Sequence, residues 1–268
     1  MFEWKGTFAA LGRSPVVAAS SGNAGASLAA YAAYAGVNCT IIATDQIHDA
    51  WKKAISITGA DIITVANALE RWKIVRKMVE EQGAYPATNY HLPAVGSNVY
   101  GVQGYVTVGL EIVEQMQHNL PTAIIVPCAR GDLLWGIWAG LVEAKGMELI
   151  DTLPRLYAVE PFPRLSNVLA GQDYRDKFNG DAKFMPSIGG NTVTYQSVEA
   201  VRASRGKAVV VTNEDAVKAQ TDLARRGLYV EGSSAATLAA ASQLVQSGLI
   251  NQNDRILLIM TSHGYKGV

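Results

Sequence analysis

One segment, Val16 to Gly36, constrains the fold more than any other. Val16 to Ala19 is a short apolar run of strand type. Ser20-Ser21-Gly22-Asn23 is too polar to continue it, and Ala24 to Ala35 is alanine-rich and closes on Gly36. Alanine is the best helix former and glycine the usual residue just past a helix end, so the pattern predicts a buried strand, a tight turn and a helix. Such a turn offers unsatisfied backbone N–H groups, the positive end of a helix dipole, two hydroxyls and an amide. It is a receptor for an anion. The same junction also fits an ordinary capped helix, with Ser21 or Asn23 as the cap.

Strand and helix signals keep alternating. Strands are expected at Cys39 to Ala43, Asp61 to Val65 and Tyr85 to Asn89. Helices are expected at Asp49 to Thr58, ending at Gly59, and at Ala68 to Gln82, where Leu69, Trp72, Val75 and Val79 form an apolar stripe. His91 to Tyr105 is rich in Gly, Pro, Asn and Tyr and reads as a crossing between two lobes. Beyond it come helix Val102 to Met116, strand Ala123 to Val126, helix Leu133 to Lys145 and strand Leu156 to Glu160. A helix at Gln196 to Ser204, a strand at Ala208 to Val211, a helix from Asn213 through Arg225 capped by Asn213, and a last strand at Arg255 to Met260 complete the pattern. Regular alternation predicts an α/β protein with parallel sheets flanked by helices. The division expected is two-lobed: a small lobe of residues 12–95 and a large lobe of residues 1–11 and 96–268.

Bulk properties remove several function classes. Lys and Arg number 23, as do Asp and Glu, so no basic excess draws in nucleic acid or an anionic membrane. No apolar run reaches membrane-spanning length and no secretory signal is evident, which leads to the expectation of a cytoplasmic chain with no membrane partner. Cys39 and Cys128 lack metal-ligand spacing and read as free thiols, and the four His make no ligand pattern. No metal is expected.

Ala18 to Gly36 resembles the asparagine loop and following helix of the fold-type II pyridoxal-phosphate (PLP) enzymes, the tryptophan synthase β family, with the threonine synthase branch the nearest in kind. Three later segments carry the same resemblance. Val126-Pro127-Cys128-Ala129-Arg130-Gly131-Asp132 stands where the family has its glycine-rich phosphate loop. Tyr229-Val230-Glu231-Gly232-Ser233-Ser234-Ala235-Ala236 is similar to the Glu-x-Ser-Ser-Ala segment before a late helix. Thr261-Ser262-His263-Gly264-Tyr265-Lys266 is similar to the Thr-Gly-His-Gly-x-Lys ending. Ser187 to Gln196 also fits this branch. The matches span nearly the whole chain in the family's order, and the segment that usually precedes the first of them is missing, so the chain looks shortened at its N-terminus.

The resemblance implies a fold, a cofactor and a set of roles. PLP is the implied cofactor, a small amino acid the implied substrate, and a homodimer the implied assembly. Ser20, Ser21, Gly22 and Asn23 would hold the amino-acid carboxylate, and Asn23 the phenolic oxygen of PLP. Ala129, Arg130, Gly131 and Asp132 would hold its phosphate. Thr261 would face the pyridine nitrogen, leaving it largely unprotonated, an electron sink suited to β- or γ-elimination or replacement. Lys5, in Phe2-Glu3-Trp4-Lys5-Gly6-Thr7, would be the catalytic Schiff-base lysine; anchored on Gly6 instead, the family's lysine falls on Glu3. Ala129 and Arg130 replace family glycines, and Arg130 can pair with phosphate directly. Asp132 is a natural cap for helix Leu133 to Lys145, where its carboxylate would compete with the phosphate for the dipole. The loops His91 to Gly101 and Gln172 to Gly190 are expected to set the substrate. The implied activity is a PLP-dependent lyase acting on a small amino acid with a leaving group at Cβ or Cγ. The alternative is a non-catalytic or truncated paralogue that binds an amino acid or a phosphorylated ligand.

Overall fold

The computed structural model describes residues 15–91, 97–117 and 119–267. Lys5 and Glu3 therefore lie outside the described residues, as does part of the expected crossing. The chain divides between Asn98 and Val99 into two compact units. Each is built on a four-stranded parallel sheet.

The first unit runs β1 (Val16–Ala19), α1 (Asn23–Ala35), β2 (Cys39–Thr44), α2 (Asp49–Ser56), β3 (Asp61–Val65), α3 (Ala68–Gln82) and β4 (Tyr85–Pro86). The sheet order is β3-β2-β1-β4. Val16 and Val17, like Ile41 and Ile42, are wholly buried although neighbours in a strand point to opposite faces. Helices therefore cover both faces, which is why these strands read as continuous apolar runs. On α3, Val75 and Met78 reach the core while Leu69 stays 41% exposed, so the expected apolar stripe begins a turn late. The strand expected to reach Asn89 ends at Pro86: the Ala87 N–H still reaches the Val17 carbonyl at 2.8 Å, but the next donor of β1, the Ala19 N–H, is taken by the Thr88 hydroxyl at 2.9 Å. Helix α2 stops at Ser56, where the Thr58 hydroxyl donates to the Ile55 carbonyl at 2.6 Å.

The second unit runs α4 (Val99–Gln103), α5 (Val106–Met116), β5 (Ala123–Pro127), α6 (Asp132–Gly146), β6 (Arg155–Glu160), α7 (Leu165–Leu169), α8 (Tyr195–Ala203), β7 (Lys207–Val210), α9 (Asn213–Ala224), α10 (Gly232–Gln246) and β8 (Ile256–Leu258). Its sheet order is β7-β6-β5-β8. The single helix expected from Val102 is two, parted at Gly104 and Tyr105. Thr212, not Asn213, caps α9: its hydroxyl accepts the Asp215 N–H at 3.2 Å. The extended backbone at Thr212 leaves Asn213 inside the first turn. One face of the sheet buries Ile124, Val126 and Leu156 against Leu134, Ile137 and Leu141 of α6. The other buries Ile125, Tyr157 and Val159 against the small residues of α10. Helices α5 and α6 approach through glycine, since a β-carbon on Gly109 would stand 2.5 Å from the Ile137 carbonyl oxygen and one on Gly140 would overlap that of Val106.

The two strand orders share one property. In the first sheet, β2 and β3 lie to one side of β1 and β4 to the other. In the second, β6 and β7 lie to one side of β5 and β8 to the other. Loops leaving the carboxyl ends of β1 and β5 sit at such a reversal of strand order, where open α/β sheets present a crevice.

Gly140→Val is expected to destabilise the chain by at least about 2 kcal/mol, the scale of core overpacking, as a shifted urea midpoint. Gly146→Val, at a position with open space around it, should cost far less.

Candidate functional site

The turn after β1 is built from hydroxyls that accept. Ser20 Oγ takes the Gly25 N–H at 2.9 Å and the Gly22 N–H at 3.4 Å. Neither Ser21 nor Asn23 caps α1. Gly22 is the cap residue, without a side-chain bond, and Asn23 is the first helical residue, half-buried. The capping hydroxyl comes from Ser20 because that residue still follows the strand ladder, its N–H bonded to the Ile42 carbonyl. Ser21 turns the other way. Its Oγ accepts the Thr44 N–H at 2.9 Å and Arg71 Nη1 at 3.2 Å, and lies 3.2 Å from Thr44 Oγ1.

In the second unit, the loop after β5 runs into α6 through Gly131. Its φ of 96° is in the left-handed region, and a β-carbon there would overlap Ser197. Asp132 does not cap α6. Gly131 is the cap residue, Asp132 is the first helical residue, and no side-chain cap bond is made there among the described residues. The first intrahelical bond, Trp135 N–H to the Gly131 carbonyl, leaves the N–H groups ahead of it without helical acceptors. Arg130 is half-buried; desolvation lowers the pKa of its guanidinium and the neighbouring Asp132 opposes that. The anion expected to repel a phosphate thus has a cation coupled to it.

Two buried polar groups that the sequence did not single out brace this loop. The Thr194 hydroxyl donates to the Arg130 carbonyl at 2.7 Å while accepting the Ser197 N–H at 3.2 Å. Arg164, 1% exposed, donates to the Cys128 carbonyl at 2.8 Å and to the Gly190 carbonyl. Glu160 stands 3.7 Å from it and accepts the N–H groups of Arg164, Leu165 and Ser166. A charged pair in a loop reads as solvated; the available signal was a strand ending in Glu directly before two prolines and a short helix. Cys128 is fully desolvated, which pushes its thiol up to about 12 and leaves it unreactive near neutral pH.

The third piece follows β8. Ser234, wholly buried in the first turn of α10, accepts the N–H groups of Thr261 at 3.0 Å and Ser262 at 3.1 Å. Its Oγ is also 3.1 Å from Thr261 Oγ1. A hydroxyl has two acceptor lone pairs and one proton. Both lone pairs of Ser234 are filled by N–H groups, so its proton goes to Thr261. Thr261 then accepts from behind, and its own proton points elsewhere. Thr261 is exposed, so that proton is available to a ligand. The Glu231 N–H to Ser262 carbonyl bond, 3.1 Å, and the Val230–His263 bridge fix the segment against α10.

Comparison with known proteins places this arrangement in a family. The family described as "Pyridoxal-phosphate dependent enzyme" matches residues 5–262. The chain is 30% identical over 264 residues to the threonine synthase of Methanocaldococcus jannaschii, covering 96% of this chain and 64% of that protein. With the threonine synthase of Methanosarcina acetivorans it shares 28% over 261 residues, 94% of this chain and 63% of that one. The chain thus spans a little under two thirds of the length of these relatives. Among solved structures, a fungal L-serine ammonia-lyase from Rhizomucor miehei superposes with a TM-score of 0.79 at 22% identity, over 96% of this chain and 80% of that one. Maize serine racemase superposes with a TM-score of 0.76 at 23% identity, over 95% and 74%. The chain belongs to the pyridoxal-phosphate dependent enzyme family, with the α/β fold of its fold-type II members, and PLP is its cofactor.

The groups present suit PLP in kind. The uncapped α6 terminus and Arg130 are chemistry for a phosphate. A hydroxyl held as a donor suits a ring nitrogen that carries no proton. The Ser233 and Ser262 hydroxyls are also buried without partners among the described residues. Ser234→Ala is expected to orphan two N–H groups and cost about 1–3 kcal/mol in thermal or urea unfolding. Ser242→Ala, whose exposed hydroxyl donates to the Leu238 carbonyl of its own helix, should cost little.

Proposed function

We propose that the chain carries PLP-dependent lyase chemistry, elimination or replacement at Cβ or Cγ of a small amino acid, of the threonine synthase type. The observation that supports this most is the hydroxyl polarity fixed at Thr261 by Ser234. When bound, PLP withdraws electrons from the amino acid and so eases loss of the Cα proton and then of the leaving group. Thr261 would donate a hydrogen bond to the ring nitrogen and, keeping its own proton, would leave that nitrogen unprotonated. Gly131 and the α6 terminus hold the phosphate through backbone N–H groups, with Ala129 and Asp132 flanking them and Arg130 supplying charge. Asn23 would hold the phenolic oxygen. Ser20, Ser21 and Gly22 hold the amino-acid carboxylate; Ser20 keeps its own proton for that purpose, since its oxygen already accepts two N–H groups. Lys5 would hold the cofactor through its side-chain amine and would carry the proton at Cα. The division into a small lobe of residues 12–95 and a large lobe of residues 1–11 and 96–268 belongs to the same proposal, as does a homodimer working in the cytoplasm. No helix among the described residues is long and apolar enough to cross a membrane.

The Lys5 assignment is tested by incubating the purified chain with PLP, reducing with borohydride and mapping the modified peptide. Pyridoxyl label on the peptide that holds Lys5, lost in Lys5→Ala without loss of fold, is the expected outcome. Label elsewhere, or label that survives in Lys5→Ala, removes Lys5 from the role. No label and no visible absorption band would favour the alternative, a paralogue that binds an amino acid or a phosphorylated ligand without turning it over.

A further inference from the structure

Arg71 lies in the first turn of α3, and Asn67 fixes where that turn begins: its Oδ1 accepts the N–H groups of Leu69 and Glu70, both at 3.1 Å. This start places the Arg71 guanidinium against the turn after β1, with Nη1 on Ser21 Oγ at 3.2 Å. Arg71 is half-buried, its Nε is buried without a hydrogen-bond partner, and no carboxylate pairs with it among the described residues. Glu70, its neighbour in sequence, instead accepts the Ala66 N–H at 3.2 Å. A cation withdrawn from water and left without a counter-ion is costly unless an anion docks against it. Desolvation acts on this guanidinium in the direction expected for such a site, lowering its pKa.

The bond to Ser21 has a second consequence. Ser21 Oγ already accepts the Thr44 N–H, so Arg71 fills the remaining lone pair. Ser21 can then only donate. Its proton has two possible takers: Thr44 Oγ1 at 3.2 Å, which is neutral, or an ionised ligand oxygen, which is the stronger acceptor.

We infer that Arg71 is a further binding residue of the Ser20–Asn23 turn, supplying the positive charge for the amino-acid carboxylate and, with Thr44, setting Ser21 as an obligate donor to it. The inference rests on the amino-acid-binding role proposed for this turn and adds a residue outside the motif that suggested that role. It also predicts which part of a ligand Arg71 reads: the acid group, not the amine or the side chain.

The test uses the full chain loaded with PLP. L-Serine and L-homoserine are titrated beside their amides, which keep the amine and side chain but lack the carboxylate, and the PLP absorption spectrum is the readout. Arg71→Met should weaken binding of the acids by on the order of tenfold or more, the scale of a charge-assisted bond, and leave the amides unchanged. Arg71→Lys should recover part of the loss, because it restores the charge and a donor. Thr44→Val removes the competing acceptor of the Ser21 proton and should tighten binding of the acids. Circular dichroism checks the fold of each variant; if Arg71→Met does not fold, Arg71→Gln and Thr44→Val carry the test. Acid affinity unchanged on loss of Arg71, or acid and amide weakened alike, would overturn the inference while leaving the proposed function in place. A wild-type spectrum that responds to neither acid would overturn the amino-acid-binding role itself, and the Arg71 inference with it.

Discussion

The reversal of strand order beside the first strand of each sheet is the constraint on which the rest depends. Parallel pairing needs crossover connections, and these place helices on both faces and every strand's carboxyl end on one edge. With β4 on one flank of β1 and β2 on the other, the turn at Ser20 to Asn23 opens where neighbouring connections part. The same order in the second unit puts the loop at Cys128 to Gly131 and the segment after β8 at one such reversal. Both turns lead directly into a helix: α1 has its Gly25 N–H taken by the Ser20 hydroxyl, and α6 starts at Gly131 with no side-chain cap bond. Polar groups are held at these edges because the apolar core occupies everything behind them.

The chemistry at those edges is written in hydroxyl polarity. Ser234 and Ser21 each receive two donors on one oxygen and each lies next to a threonine hydroxyl. The arrangement differs in what fills the lone pairs. At Ser234 both donors are backbone N–H groups, so the polarity passed to Thr261 is fixed by the fold. At Ser21 one donor is a side-chain cation, so both the polarity and the charge of that turn depend on a single residue of α3. Loss of either serine hydroxyl costs free energy, because the N–H groups that it accepts are left without that partner.

Much of this was legible in the sequence, for identifiable reasons. Strands such as Val16 to Ala19 and Asp61 to Val65 stand out because glycine and polar turn residues bound them, and α1 because alanine fills it and Gly36 ends it in the left-handed region. The loops were legible through their motifs. What escaped notice depends on partners far apart in the chain. Arg164 reaches back 36 residues to the Cys128 carbonyl, and Arg71 reaches back 50 to Ser21. No local pattern distinguishes either from a solvated arginine. The caps stand one residue away from Asp132, Asn213 and Ser21, because several adjacent residues could cap equally well and backbone geometry made the choice.

In the proposed function a neutral hydroxyl, aimed by Ser234, meets the ring nitrogen of PLP and leaves it without a proton. Nitrogen-15 NMR of the chain loaded with ring-labelled PLP measures that protonation state directly. The expected result is the chemical shift of an unprotonated, hydrogen-bonded pyridine nitrogen near neutral pH, moving toward the free-pyridine value in Thr261→Val. A pyridinium shift in the unmodified chain, indifferent to loss of the Thr261 hydroxyl, would contradict it.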